Sequence, residues 1–427
     1  MKIVAAAVLA AVTGSSAMAA GFMLTEQSVT GLGRAYAGAG IVGDDNSAVW
    51  YNPAGMTLLS GTQFQAGGVM ATLDFPLENN DGTYTDNGRK YSVPIPHMFF
   101  TSQLNDDMWF GLGFTVPYGM ATEYKRNSPL NEFGMNAEVK VFDLNPSLAW
   151  KINEKVSFGA GVSLQYATAQ FEAAKSIDGV LPSIAKAYGR LNADSLAWGF
   201  NMGVMWSPVE TVRVGLAYRS AVNHHAKGKY RVGMGGISNP SYRQHLMGHS
   251  DNATADLTAP QTVLLTGTWE VTEALRLSAL IRWSDWSSFK SLDIKSGSTI
   301  HASSAQGAYM VSLGSSVENR WNDTWLFTLG ADYKINDEWT VRGGVGYENG
   351  AVDDEYRTAV IPDADRLWLS CGATWNYDTN WKFDVGFTYL HGMGTPGLYR
   401  NHNKNDKVAE FKALDAYLVG AQFTYKF

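Results

Sequence analysis

Residues 417–427 read YLVGAQFTYKF, and their alternation decides the fold. Tyr417, Val419, Ala421, Phe423, Tyr425 and Phe427 share one face, and Leu418, Gly420, Gln422, Thr424 and Lys426 share the other. A membrane strand alternates in this way, apolar toward lipid and small or polar toward a lumen. A strand of a soluble sandwich also alternates, so repetition has to separate the two cases. The pattern recurs in 156–166, where Val156, Phe158, Ala160, Val162, Leu164 and Tyr166 oppose Ser157, Gly159, Gly161, Ser163 and Gln165. It recurs again in 324–334 (Trp325, Phe327, Leu329, Ala331, Tyr333) and in 381–389 (Trp381, Phe383, Val385, Phe387, Tyr389). Aromatic residues sit at the segment ends, as in the girdles of a membrane barrel. The opposite faces are filled by Gly, Ser and Thr, which are poor material for a soluble core.

Turn signals divide the chain unevenly. Asn105-Asp106-Asp107, Asn153-Glu154-Lys155, Asn336-Asp337-Glu338 and Asp378-Thr379-Asn380 make short polar connections. Between them lie long ones near 76–93, 118–136, 172–194, 229–256, 297–320, 350–362 and 394–412. Short periplasmic turns alternating with long external loops is the barrel layout. The expected strands are 63–75, 95–104, 108–117, 137–152, 155–171, 195–207, 211–228, 257–271, 274–290, 321–335, 338–349, 364–378, 381–393 and 412–427. The fold class is therefore all-β: a transmembrane antiparallel β-barrel of 14 strands, an even number as such barrels require. Within one long loop, Val180, Ile184, Ala187, Tyr188 and Leu191 recur at helical spacing, which predicts a helix over 180–192. That helix either packs on a neighbouring loop or offers an external apolar groove to greasy ligands.

The first residues, MKIVAAAVLAAVTGSSAMA, read as a secretory signal (1–19) with a basic start, a short apolar core and an Ala-Met-Ala cleavage pattern. No later run supplies the roughly 20 apolar residues of a membrane helix. With 44 Gly, 13 Pro, 12% aromatic residues, 17% charged residues and a net charge of -7, the chain carries no basic footprint for nucleic acid. Cys371 is the single cysteine, which excludes an internal disulfide framework. Between leader and barrel lies GFMLTEQSVTGLGRAYAGAGIVGDDNSAVWYNPAG (21–55), which does not alternate. A non-strand segment ahead of an all-strand chain is what a pore needs as a stopper.

These residues resemble the FadL/OmpP1/TodX family of outer-membrane transporters of long-chain fatty acids and other hydrophobic compounds. The resemblance is carried by Gly21-Phe22, GLGRAYAG (31–38, with Gly31, Gly33 and Arg34), Asn52-Pro53-Ala54, YGMATEY (118–124), AYRSAV (217–222), DWSSF (285–289), IPDADRLWLS (361–370) and YLHG (389–392). These pieces lie in family order across the mature chain. The resemblance implies a hatch over 20–62 inside a barrel over 63–427, with Gly21, Phe22 and Met23 as the gate element. It also implies capture of ligand by external loops, transfer to an apolar pocket, and sideways release through a kinked third strand at Pro117-Tyr118-Gly119. Independently of the family, Pro117 cannot donate a ladder hydrogen bond and Gly119 weakens a strand interior. Strands also end at Pro and Gly simply to turn. Asn52-Pro53-Ala54 is expected to anchor the hatch near the first strand. The implied partners are a long-chain fatty acid or other hydrophobic small molecule, outer-membrane lipid, and the barrel-assembly machinery acting on the C-terminal strand that ends at Phe427; the protein is expected to be a monomer without a cofactor.

A held carboxylate needs a cation or donors. Arg213, Arg219, Arg276, Arg282, Arg342 and Arg366 share the lumen phase, as do the acids Glu348, Asp332 and Asp384, which could pair with them and stiffen the wall. Fatty-acid members of the family carry basic residues in the fifth strand, whereas LQYATAQFEAA (164–174) has none until Lys175, which favours a neutral or aromatic substrate. Gly38 to Gly43 spell GxGxxG with Asp44 and Asp45 behind, but no βαβ unit surrounds them, so tight turns are expected instead. His245 and His249, with His224-His225 nearby, have helical metal spacing but no fixed third ligand, and no metal is expected. The alternatives in other classes are a general porin, which lacks a hatch, and a barrel lipase, for which no Ser/His constellation is fixed.

Overall fold

Each long alternating segment pairs antiparallel with the next one in the chain, and the last pairs with the first. The computed structural model describes residues 21–86, 92–125, 128–130, 134–176, 186–235, 246–304, 307–312 and 315–427. The expected leader, 1–19, therefore lies outside the described residues. The staves are β1 (Thr62–Asp74), β2 (Ser92–Gln103), β3 (Met108–Glu123), β4 (Asn136–Asn153), β5 (Val156–Ser176) and β6 (Lys186–Val209). Four broken staves follow: β7 (Val212–Arg219 and Val222–Gly235), β8 (Asp251–Ala259 and Thr262–Glu270), β9 (Leu275–Ser284 and Ser291–Ser296) and β10 (Ser315–Glu318 and Thr324–Lys334). The circuit ends with β11 (Trp339–Glu348), β12 (Arg366–Asn376), β13 (Trp381–Gly392) and β14 (Asp415–Lys426). Gln63 opposite Lys426 and Thr72 opposite Tyr417 close β14 onto β1. The 18 segments of this sheet thus form the fourteen staves of one closed barrel.

Alternation sets the two faces as expected. On β10, Trp325, Phe327, Leu329 and Tyr333 are exposed on the outer wall, while Leu326, Thr328 and Asp332 are buried inside. Exposed Trp150, Trp206, Trp269, Trp339, Trp375 and Trp381 ring the short-turn end, and Tyr166, Trp198, Trp325, Tyr347 and Tyr417 ring the other. Two aromatic girdles with an apolar band between them is what a bilayer selects.

Residues 21–59 fill the interior. Short helices at Val29–Leu32 and Ala48–Tyr51 and a 3-10 turn at Pro53–Leu58 alternate with tight turns. Val29, Leu32, Tyr36, Ile41, Val49 and Met56 are fully buried. Wall residues bond this segment from β1, β13 and β14: Gln65 accepts from the Asn46 N–H at 2.9 Å, Gln422 accepts from the Val29 N–H at 2.8 Å, and Thr388 donates to the Leu32 carbonyl at 3.0 Å. The glycine-rich inner face of the wall makes room for it. A Cβ at Gly344 would stand 2.3 Å from the carbonyl carbon of Arg34. The glycines of the GxGxxG stretch sit in turns, with φ of 71°, 83° and 85° at Gly38, Gly40 and Gly43.

Two sequence readings need correction. The helix expected over 180–192 is a strand from Lys186 onward, and Val180 and Ile184 lie outside the described residues. Leu191 is laddered to Phe171 on one side and Tyr230 on the other, and two-sided pairing outweighs a short helical period. Staves β5 and β6 accordingly run further from the membrane than the 155–171 and 195–207 expected. The third strand does not end at 117 but continues through Pro117 to Glu123.

Candidate functional site

The wall is incomplete between β2 and β3. Ladder partners run from Gln103–Trp109 to Met98–Phe114 and stop there. Residues 92–97 of β2 still pair with β1 on their other side. The cause lies in β3: Thr115 faces Asp143 and Tyr118 faces Val141, so two residues, Val116 and Pro117, oppose the single Phe142. Such a bulge bends its strand, and β3 parts here from β2 while staying laddered to β4 as far as Glu123. Pro117, Tyr118 and Gly119 thus lie at the bend.

The edge of β3 that β2 leaves is taken by the N-terminal segment. Leu24 N–H donates to the Pro117 carbonyl at 2.7 Å, and Gly119 N–H donates to the Phe22 carbonyl at 2.9 Å, with Met23 opposite Tyr118. The Gln27 amide caps the bulge, donating to the Val116 carbonyl at 2.7 Å and accepting from the Val116 N–H at 3.2 Å. Phe22 is enclosed by aromatic rings, with centroids at 4.7 Å to Trp286, 5.9 Å to Phe289 and Trp321, and 6.0 Å to Tyr118. Gly21 must be glycine: its φ is 68°, and a Cβ would lie 2.7 Å from the Trp321 ring.

Behind this contact runs a buried polar chain. Arg282 donates to Thr25 and to Glu348, both at 2.7 Å. Arg366 lies 3.9 Å from Glu348 and bonds Asp363, which accepts from the Gly21 N–H at 3.3 Å. Glu26 stands near this chain with both carboxylate oxygens buried and unpartnered. Burial, opposed by its own backbone N–H and reinforced by Glu348, pushes its carboxyl up to about 7. The folded state then holds a proton that the unfolded segment loses near pH 4.5. Stability of this segment is therefore full below about 4.5 and falls as pH rises toward 7, by about 3 kcal/mol. Hydrogen exchange of residues 22–27 should quicken by roughly 100-fold between pH 4.5 and 8 after correction for intrinsic rates, and Glu26→Gln should flatten that dependence. A flat profile in the parent protein would contradict this account.

A cavity of about 640 Å³, counted out to its mouth, opens between the N-terminal segment and the wall. Met23, Leu24, Trp50, Pro117, Tyr118, Leu264, Leu280 and Leu326 make it apolar, and Arg219 and Arg282 are its charged lining. The lumen arginines differ in what they already hold. Arg213 lies 3.6 Å from Glu270, Arg276 donates to Glu270 at 2.7 Å, and Arg342 donates to Asp332 at 3.1 Å with Asp384 at 3.5 Å. Arg282 holds Glu348. Among the described residues Arg219 alone of the candidates has no carboxylate within 4.0 Å. It stacks 3.3 Å over the Trp50 ring and donates to the Trp50 carbonyl at 2.9 Å.

Toward the short-turn end the interior is ionic. Arg34 binds Asp44 through both oxygens, at 2.7 and 3.1 Å, with Asp332 at 3.3 Å and the Ala37 carbonyl at 2.9 Å. Burial works against the Asp44 charge, but Arg34 and Arg276 hold its carboxyl well below the ordinary range. Below this network a polar pocket of about 1120 Å³ is lined by Asp44, Glu270, Arg276, Lys334, Lys382 and Lys426.

Other expected residues lie elsewhere. Asn52-Pro53-Ala54 docks not near β1 but against β5 and β6, where Asn52 donates to the Val204 carbonyl at 3.1 Å. Gly31 sits in the first short helix and Gly33 at its end, both buried. His224 points inward to Gln165, 3.1 Å away, and His225 outward to Asp256, 2.8 Å away; His245 lies outside the described residues. Neighbours on one strand face opposite sides, so these two do not converge. Glu26, Gln27, Asp363 and the Trp286/Phe289/Trp321 cluster were not anticipated, although an acid inside the otherwise uncharged run 21–33 was a readable signal.

A closed fourteen-stave barrel with two aromatic girdles and a filled lumen defines a protein of the Gram-negative outer membrane. The family description "Outer membrane protein transport protein (OMPP1/FadL/TodX)" fits residues 10–427, and the chain belongs to that family, whose members are transporters. A long-chain fatty acid transport protein of Escherichia coli O6:H1 is 29% identical, covering 99% of this chain and 98% of the relative. Outer membrane protein P1 of Haemophilus influenzae is also 29% identical, covering 100% and 99%. Among solved structures, a Pseudomonas aeruginosa FadL homologue has a TM-score of 0.82 at 24% identity, covering 96% of this chain and 100% of that one. The Pseudomonas putida toluene transporter TodX has a TM-score of 0.70 at 18% identity, covering 90% and 94%. These two likenesses concern the fold.

Proposed function

We propose that the protein takes up hydrophobic small molecules, long-chain fatty acids first among them, and releases them sideways into the outer membrane. External loops collect the ligand, the apolar cavity holds it, and residues 21–27 act as the gate of a hatch whose remainder stays in the lumen. The observation that carries this reading is the parting of β2 from β3 at Met98–Phe114, with the freed β3 edge held by two backbone bonds from residues 22–24. Each methylene buried in the cavity contributes about 0.8 kcal/mol, so a long chain is concentrated there without a water-filled pore. The way straight down crosses the Arg34–Asp44–Asp332–Arg342 network, where an acyl chain has no apolar surface to follow. The gap leads to lipid.

Uptake of oleate and of toluene by cells lacking the gene, and by the same cells with it restored, tests the function. Unchanged uptake of both, with altered sugar permeability, would favour a porin instead. For the head group, Arg219 is assigned as the cation that meets the carboxylate, since its neighbours are already paired. Hydrogen bonds to a charged group are worth about 1.5–3 kcal/mol, so Arg219→Gln should weaken fatty-acid binding roughly 10- to 100-fold. Binding of the methyl ester should not change. Equal loss for acid and ester would remove Arg219 from recognition. The second reading, uptake of aromatic hydrocarbons by the same route, is favoured by the cation-free stretch 164–174.

A further inference from the structure

The gap has a second bank. Along β2 the backbone N–H groups alternate between neighbours: Gln103 donates to Gly61 beside β1, whereas Leu104, one residue on, donates to Met108 at the start of β3. Odd-numbered positions thus face β1 and even-numbered positions face β3. Beyond Met98, where β3 has left, the even positions are 96, 94 and 92, and the first two are Pro96 and Pro94. Neither has an N–H to offer. Both rings project from the outer wall, and the register places them inside the apolar band. Ser92 is level with Thr72 and Tyr417 of the upper girdle, Pro94 with Met70 and Val419, and Pro96 with Gly68 and Ala421.

A sheet edge open to hydrocarbon is costly because each free N–H has no water to bond. Proline removes that cost at the two positions where β2 would expose donors, and it removes the donors a returning strand would need. We infer that Pro94 and Pro96 hold the wall open by disabling β2 in the competition for the edge of β3. Residues 22–24 pair with that edge because they carry a donor, the Leu24 N–H, where β2 has none. When they withdraw, β2 cannot zip onto β3, so the opening persists for the ligand. The kink in β3 starts the gap, and the prolines keep it from healing. The role in ligand exit rests on the lateral route proposed above, but the competition between the two edges does not.

The test is Pro94→Val/Pro96→Val in the full-length protein in lipid nanodiscs, read by residue-resolved hydrogen exchange and by oleate uptake in cells. The new donors, left in hydrocarbon, should capture β3. Amides 94 and 96 are expected to exchange at least tenfold more slowly than amide 92, the Leu24 amide at least tenfold faster than in the parent, and uptake should fall at least threefold. Fast exchange at 94 and 96 with parental Leu24 protection and parental uptake would overturn the inference. Protection at 94 and 96 with Leu24 released but uptake unchanged would uphold the prolines' role and sink the lateral route instead. If the double variant fails to assemble, Pro96→Val alone, next to the last β2–β3 pair, reads the same exchange.

Discussion

Deleting Val116 and replacing Pro117 with valine is expected to cut uptake of hydrophobic compounds by at least tenfold while leaving the barrel assembled. The deletion leaves one residue opposite Phe142, so the ladder from Thr115–Asp143 to Tyr118–Val141 becomes continuous. A strand without a bulge keeps the direction of its neighbours, so β3 would lie against β2 past Phe114 and close the gap by side-by-side contact, although Pro94 and Pro96 still deny the two strands a full ladder. The edge now bonded to Phe22 and Leu24 would be turned toward β2, and the cavity would lose its door to lipid. Heat-modifiable migration on gels reports assembly, and oleate uptake reports the route. Uptake within twofold of the parent, in a barrel of normal migration, would exclude the gap as the exit.

Arg34→Ala should have the largest effect on the segment that fills the lumen, the proposed hatch. The guanidinium is buried among Asp44, Asp332 and the Ala37 carbonyl. Removing one partner of a buried ion pair leaves uncompensated charge and costs about 3–5 kcal/mol, more than the loss of most single contacts. Amides of residues 29–58 should then exchange faster by a factor on the order of 100 or more. Planar-bilayer recordings should show ion-conducting openings absent from the parent. Arg34→Lys, which keeps the charge but not the two-pronged bond, should fall between. Parental exchange in Arg34→Ala would mean that apolar packing of Leu32, Tyr36 and Ile41 holds the lumen segment alone.

Most of the barrel was readable because every stave buries one face and shows the other to lipid, and that requirement writes itself as period two. YLVGAQFTYKF and 324–334 needed no knowledge of their neighbours. Residues 21–59 lack alternation for the opposite reason, since they are surrounded on all sides. The breaks in β7 to β10 were invisible because interrupting a ladder at Ser220-Ala221 or Pro260-Gln261 does not disturb alternation on either side. The acids that could answer the lumen arginines were legible by phase, but which arginine lacks one depends on the register of distant staves. Arg282 meets a glutamate 66 residues later. The helical reading of 180–192 failed where two neighbouring strands claimed residues 186–192. The expected second strand began at 95, after Pro94, although β2 starts at Ser92 and takes that proline in as its third residue.

The breaks themselves divide the wall into two mechanical parts. Above them the outer halves of β7, β8, β9 and β10 form their own ladder, and below them the inner halves form another. Stave β6 runs unbroken and pairs with both halves of β7, so it is the root from which the upper ladder projects like a cantilever. Its far end is Ser315–Glu318, and the chain from there passes through Trp321, just as the chain between the halves of β9 carries Trp286 and Phe289. The rings that clamp Phe22 are therefore mounted at the joint, where a small tilt of the upper ladder is felt without loss of any bond in the lower one.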